Sequence, residues 1–185
     1  MPTVFSHAAV PLALGLGLGR EAVPPRLLVA GVLVSALPDL DVVTFSWGVP
    51  YTSSFGHRGF SHSLLFALAV ALVGAAVARA LRSPPARAFA FLLVVSASHG
   101  ALDALTTGGL GVAFLWPWSD QRFFAPRALR VIAVSPLGLR FVSARGAAAL
   151  ASELVWIWPP ALALGLMLFG VRRARSRRLL PGGHA

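Results

Sequence analysis

Seven of the histidine and acidic side chains in this chain, His7, Asp39, Asp41, His57, His62, His99 and Asp103, lie within or beside apolar runs. A charged side chain near the centre of a bilayer helix costs roughly 2.5–3.5 kcal/mol on the insertion scale, so three carboxylates there require cations or a metal. His99 and Asp103, in SHGALDALTT, are four residues apart and share one helix face about 6 Å from each other. That spacing suits two ligands of one divalent ion, or a His ligand with an orienting carboxylate. Taken alone, it equally fits a structural hydrogen bond. Asp39 and Asp41, in LPDLD, flank Leu40 after Pro38; a proline pushes its predecessor out of the helical region, so a helix should end here. An extended PDLD would then present both carboxylates on one side. A helix cap in a turn is the alternative reading. His57, Arg58, Ser61, His62 and Ser63, in GHRGFSHSLL, form the densest polar cluster. Gly56 and Gly59 let backbone approach a ligand, Ser61 is placed to cap the following helix, and the two His reach towards a metal from a loop and a first turn. Arg58 offers a planar fork to a phosphate or carboxylate. Four His and three carboxylates together predict a metal site, and the absence of Cys restricts its donors to imidazole and carboxylate.

The elements that must position these residues are membrane helices. The 185 residues are 57% hydrophobic and 12% charged, half the charge of an ordinary soluble domain, which leaves too little polar surface for a water-facing globule. The net charge of +10 comes from 16 basic residues, all Arg, against 6 acids. In a chain this apolar, that balance points to Arg clusters at a membrane face with anionic lipid, and nucleic acid is not expected as a partner. The missing Lys matches the codon bias of a GC-rich genome. No cleaved leader is expected at the N-terminus.

The expected fold is all-α, a polytopic membrane bundle of about five helices. The first two apolar stretches, about Val4 to Gly19 and Leu27 to Leu37, are short and read as tilted, half-buried or re-entrant. The third, Ser61 to Leu81, reads as the clearest span, with Ala67, Ala71, Gly74, Ala75 and Ala78 as a small-residue stripe for close helix approach. The fourth covers about Ala86 to Thr106, antiparallel to the third. The fifth runs from about Ala147 to Val171, kinked at Pro159 and Pro160. Between the last two lies a long irregular segment, Thr107 to Gly146. A single domain over residues 1–171 and a basic tail over 172–185 follow. Threading five helices puts ten Arg on one side and six on the other, which predicts a cytoplasmic C-terminus. The same threading brings all seven polar residues to one end of the bundle.

His7, the PDLD run, HRGFSHS, SHGALDALTTGG and the PWSDQRFF run around Ser119 and Arg122 occur in an order that resembles the membrane-bound metal-dependent hydrolase family typified by the bacterial YdjM proteins, over about Met1 to Pro136. The resemblance implies a bacterial or archaeal inner-membrane protein that hydrolyses a substrate with a metal. More distantly, the ligand order is similar to zinc-dependent phospholipase C and the P1-type nucleases. This chain has too few further His and Glu for their three-zinc site, which implies one or two ions.

The leading expectation is a phosphoesterase acting on a lipid-borne or membrane-delivered substrate. His62, His99, Asp103 and one of Asp39 or Asp41 would hold zinc or a similar divalent ion, with His7 and His57 completing a second position. Such an ion supplies hydroxide at neutral pH. The spare carboxylate of Asp39 or Asp41 would orient a His or act as base. Arg58 and Arg122 would bind the anionic group and stabilise transition-state charge, and Trp116, Trp118 and Ser119 would shape the entrance. Membrane lipids are expected partners, and a homo-oligomer is compatible with the sequence. The competing readings are a metal or proton transporter, since buried His and Asp also mark ion pathways, and a membrane scaffold or regulatory protein with a structural metal site.

Overall fold

Proline and glycine placement decides where the helices begin, tighten and end. The computed structural model of the chain describes residues 1–136 and 138–179, so the end of the predicted basic tail, residues 180–185, lies outside the described residues. The described residues form seven α-helices: α1 (Val4–His7), α2 (Ala9–Leu18), α3 (Pro25–Ala36), α4 (Leu64–Ala76), α5 (Pro85–Ala104), α6 (Ala144–Trp156) and α7 (Trp158–Leu179). Pro11 can give no amide to the His7 carbonyl and crowds it, which accounts for the break between α1 and α2 at Ala8. Pro25 opens α3 and Pro85 opens α5, where a missing amide costs nothing. The expected kink at Pro159 and Pro160 appears as the break at Ile157 between α6 and α7.

Two expectations are corrected. The chain after α3 does not become extended: Leu37 keeps helical angles (φ −59°, ψ −42°) and Pro38–Trp47 continues as a 3₁₀ helix. Tighter i→i+3 bonding, such as Leu40 N to Leu37 O, accommodates Pro38 without requiring its amide. The second apolar run is thereby lengthened to Pro25–Trp47, 23 residues, enough to cross a membrane. The third is shortened. Regular α-helix begins at Leu64, because Phe60–His62 forms a separate 3₁₀ turn and Ser63, rather than Ser61, caps the helix by accepting the Phe66 amide. Past Ala76 the turns loosen and close on a Schellman motif, with Arg82 at φ 54°, Arg82 N on Arg79 O and Ser83 N on Ala78 O.

Among the described residues, three helical stretches are long and apolar enough to cross a membrane, Pro25–Trp47, Pro85–Ala104 and Ala144–Arg177, while Val4–Leu18 and Leu64–Ala76 are shorter apolar helices. Helix α4 lies along α5 with its small-residue stripe inward: Ala67, Ala71, Gly74 and Ala78 are buried, and a Cβ on Gly74 would meet Leu92 Cδ1 at 2.2 Å. Helix α2 packs on α7 at Gly17 and Gly165, and α3 on α5 around Leu27, Phe91, Leu92 and Val95. Large apolar side chains on the outside of α7, such as Met167 and Val171, stay exposed, as a lipid-facing surface requires. The described residues contain no strand. An isolated bridge from Thr106 to Ile132 holds the segment after α5 near the end of that helix, and one from Val112 to Phe123 pairs the segment with itself.

Candidate metal centre

All seven polar residues meet at one end of the bundle and are buried there. His7 ends α1, Asp39 and Asp41 sit on the 3₁₀ extension of α3, His57 and His62 precede α4, and His99 and Asp103 lie in the last two turns of α5. Four of their atoms converge. His62 Nε2 is 3.1 Å from His99 Nε2, 3.3 Å from Asp103 Oδ2 and 3.6 Å from Asp39 Oδ1, and His99 Nε2 is 3.4 Å from Asp39 Oδ1. A tetrahedral shell with donors about 2.05 Å from its ion has edges of about 3.3 Å, so this spacing is that of a ligand set. The group Asp39, His62, His99 and Asp103 could hold a metal ion.

The tautomers agree with that reading. His99 Nδ1 is 2.7 Å from the Ser35 carbonyl, which can only accept, so the ring proton lies on Nδ1 and the Nε2 lone pair faces the cluster. His62 Nδ1 is 3.2 Å from Asp41 Oδ2, which holds its Nε2 inward in the same way. Two imidazole lone pairs 3.1 Å apart repel unless a proton or a cation lies between them. Both oxygens of Asp39 and of Asp103 lack hydrogen bonds, as do both nitrogens of His7, although all six atoms are buried. Orphaned buried acceptors of this kind are costly, and a cation answers the cost. Burial by itself would lower the His62 pKa, but the carboxylates of Asp103, Asp39 and Asp41, close around its ring, outweigh that and raise it to about 10. The carboxylates around His62 favour positive charge there.

The two carboxylates of PDLD divide the work. In a 3₁₀ helix, residues two apart diverge by about 120° around the axis, whereas in a strand they share a side. Asp39 therefore faces the ion position and Asp41 faces away from it. Asp41 Oδ1 is 2.7 Å from His57 Nδ1, and its Oδ2 accepts from Arg58 N at 3.1 Å and Ser61 Oγ at 2.7 Å. His57 groups with Asp41 and His62 and is not gathered with His7. His7 instead stacks on His99, ring centres 3.7 Å apart, with Nε2 3.7 Å from Asp39 Oδ2 and 3.9 Å from Asp103 Oδ1. These are the carboxylate oxygens that point away from His62.

Arg58 and Arg122 are near the cluster but do not present free forks. Arg58 is completely buried at φ 64°, donating from Nη1 to Gly108 O and from Nη2 to Thr106 Oγ1. Its Nε makes a 2.9 Å ionic contact with Asp103 Oδ2 outside hydrogen-bond geometry. Arg122 donates to the carbonyls of His57, Tyr51 and Ser53, clamping the segment after α5 to the 51–57 loop. Both guanidinium groups supply charge and hold loops in place. Trp116 packs on Phe55 and Phe60, Trp118 is exposed, and Ser119 Oγ accepts the Gln121 amide in a turn.

One residue of the site's framework escaped the sequence reading. Glu153 on α6 is 1% exposed and accepts from Thr3 N at 2.6 Å, Thr3 Oγ1 at 2.5 Å and Ser6 Oγ at 2.6 Å, which ties α1, and so His7, to α6. The signal was present, since an acid inside an otherwise apolar helix needs partners.

The family model described as YdjM inner membrane protein matches residues 1–176. The chain is 51% identical to the inner membrane protein YbcI of Escherichia coli (strain K12) over 175 residues, which is 94% of this chain and 100% of that protein. No solved structure matches it. With a match to nearly the whole chain and multiple membrane-length helices, the chain is a multi-pass membrane protein that belongs to the YdjM inner membrane protein family.

Proposed function

We propose that this chain is a metal-dependent hydrolase of the bacterial inner membrane, with zinc the favoured ion and a phosphoester, lipid-borne or delivered at the membrane, as substrate. The observation that carries the reading is the convergence of His62 Nε2, His99 Nε2, Asp39 Oδ1 and Asp103 Oδ2 at 3.1–3.6 Å in a buried pocket. These four would hold the ion, and His7 with the remaining oxygens of Asp39 and Asp103 would complete a second position. An ion held there would supply Lewis-acid chemistry that activates water for hydrolysis.

The chain's own residues supply the rest. The Ser35 carbonyl and Asp41 keep the two imidazoles in the ligating tautomer. His57, fixed through Nδ1 to Asp41, would be oriented to pass a proton through Nε2. Arg58 and Arg122 keep the surroundings positive, which together with the resemblance of the ligand order to phosphoesterases supports an anionic substrate. A transport path would need polar groups continuing from the cluster along the bundle. Past Ser96, one turn inward of His99, the buried side chains of α4 and α5 are instead apolar, including Ala67, Ala71, Ala88 and Leu92. The arginine distribution supports a cytoplasmic C-terminus.

The test is hydrolysis of a phosphoester panel by detergent-purified protein with and without chelator. Asp39→Asn, His62→Ala and His99→Ala should each abolish metal content and turnover while the protein still inserts; full activity in any two of them removes the proposal.

A further inference from the structure

The opposite end of α2 carries a second polar site, about 15 Å along the helix from the metal centre. A cavity of about 570 Å³ lies there between the end of α2 and the last turns of α7, lined by Leu18, Arg20, Glu21, Phe169, Arg172, Arg173 and Ser176. Three guanidinium groups face one carboxylate. Two other arginines at this end are engaged by backbone, Arg26 on Ala80 O and Arg87 on Glu21 O. The side chains of Arg20, Arg172 and Arg173 make no hydrogen bond or ion pair among the described residues. Gly19 shapes the seat: its backbone has φ 81°, and a Cβ there would fall on Arg172 Nη1. Arg172 also lies over the Phe169 ring, 5.2 Å from its centre.

Phe169 joins this cavity to a second one. That groove, about 440 Å³, runs between α2 and α7 towards Ala9 and Trp158, and its walls are apolar side chains such as Leu12, Leu16, Leu162 and Leu166. A basic pocket continuous with a long apolar groove matches a molecule with an anionic head and a hydrocarbon chain. Basic pockets between membrane helices on the arginine-rich face are where anionic headgroups bind.

We infer that Arg20, Arg172 and Arg173 bind the phosphate of an anionic phospholipid whose acyl chain lies in the groove between α2 and α7. The site is separate from the metal centre and does not depend on the proposed hydrolysis. A free phosphate would satisfy the arginines but would leave the groove without a role, so the lipid is the occupant that uses both parts.

The test is native mass spectrometry of the full chain in detergent, titrated with dioleoylphosphatidylglycerol, dioleoylphosphatidylcholine or glycerol 3-phosphate. Phosphatidylglycerol should bind at least tenfold more tightly than phosphatidylcholine, and glycerol 3-phosphate should not displace it at a hundredfold excess. Arg20→Gln with Arg173→Gln, both exposed positions, should weaken phosphatidylglycerol at least tenfold. Leu166→Trp, which fills the groove and leaves the charge alone, should weaken it as well. Arg175→Gln with Arg177→Gln, outside the cavity, should stay within twofold of the unchanged protein. Equal binding of phosphatidylcholine, displacement by glycerol 3-phosphate, or an equal loss from the 175/177 pair would each overturn the inference.

Discussion

In the proposed metal centre, Asp41→Asn perturbs a residue that would orient the ion's ligands without being one itself. The carboxylate engages four groups: His57 Nδ1 at 2.7 Å, His62 Nδ1 at 3.2 Å, Ser61 Oγ at 2.7 Å and the Arg58 amide at 3.1 Å. An asparagine carbonyl can still accept from some of these, but its NH₂ must then face a ring nitrogen. A donor facing His62 Nδ1 or His57 Nδ1 draws the lone pair to that atom and places the ring proton on Nε2. For His62 that proton points at the ion position and blocks it. Loss of such an orienting partner costs about 10–100-fold in metal affinity, equivalent to about 1.4–2.8 kcal/mol. Competition for zinc against a chelator of known affinity measures this directly, with melting of the zinc-loaded variant confirming that the fold persists. An affinity within twofold of the unchanged protein would refute the idea that Asp41 sets the His62 tautomer.

Other outcomes follow from the same geometry. Glu153→Ala leaves three donors without their buried acceptor and should destabilise the protein by about 3 kcal/mol or more in a denaturation series in detergent, with Glu153→Gln recovering part of the loss. Gly74→Leu should force α4 away from α5 and cost about 1–3 kcal/mol in the same assay, since even a Cβ meets Leu92. The metal-free protein should lose stability as pH rises. The His62 pKa is raised to about 10 in the fold against about 6.5 unfolded, so its contribution is complete below pH 6.5 and gone above pH 10. Melting curves of chelated protein across that window should fall, while zinc-loaded protein, whose Nε2 is occupied, should not show this loss.

The clustering of the seven polar residues was legible because an oily chain exposes its exceptions. His7, Asp39, His62, His99 and Asp103 stood out as groups that apolar helices tolerate poorly, and alternating helix directions brought them to one end. The division between Asp39 and Asp41 was not legible, because it depends on whether the chain after Pro38 is extended or 3₁₀, and the proline rule favours the wrong choice there. Nor were the partners of Arg58 and Arg122. Those are mainly backbone carbonyls at Gly108, Tyr51, Ser53 and His57, and a carbonyl has no sequence signature. Glu153 was visible as a lone acid in an apolar helix, but Thr3 lies 150 residues away, and only the fold brings them together.

The most direct test of the central claim is elemental analysis combined with metal-edge X-ray absorption on detergent-purified protein. A zinc-bearing centre predicts at least one zinc per chain, with nitrogen and oxygen donors at about 2.0–2.1 Å and no sulfur. Its zinc should be lost in His62→Ala and His99→Ala. Purified protein that carries no divalent ion, takes none up on dialysis against zinc, and melts identically with and without chelator would contradict the account.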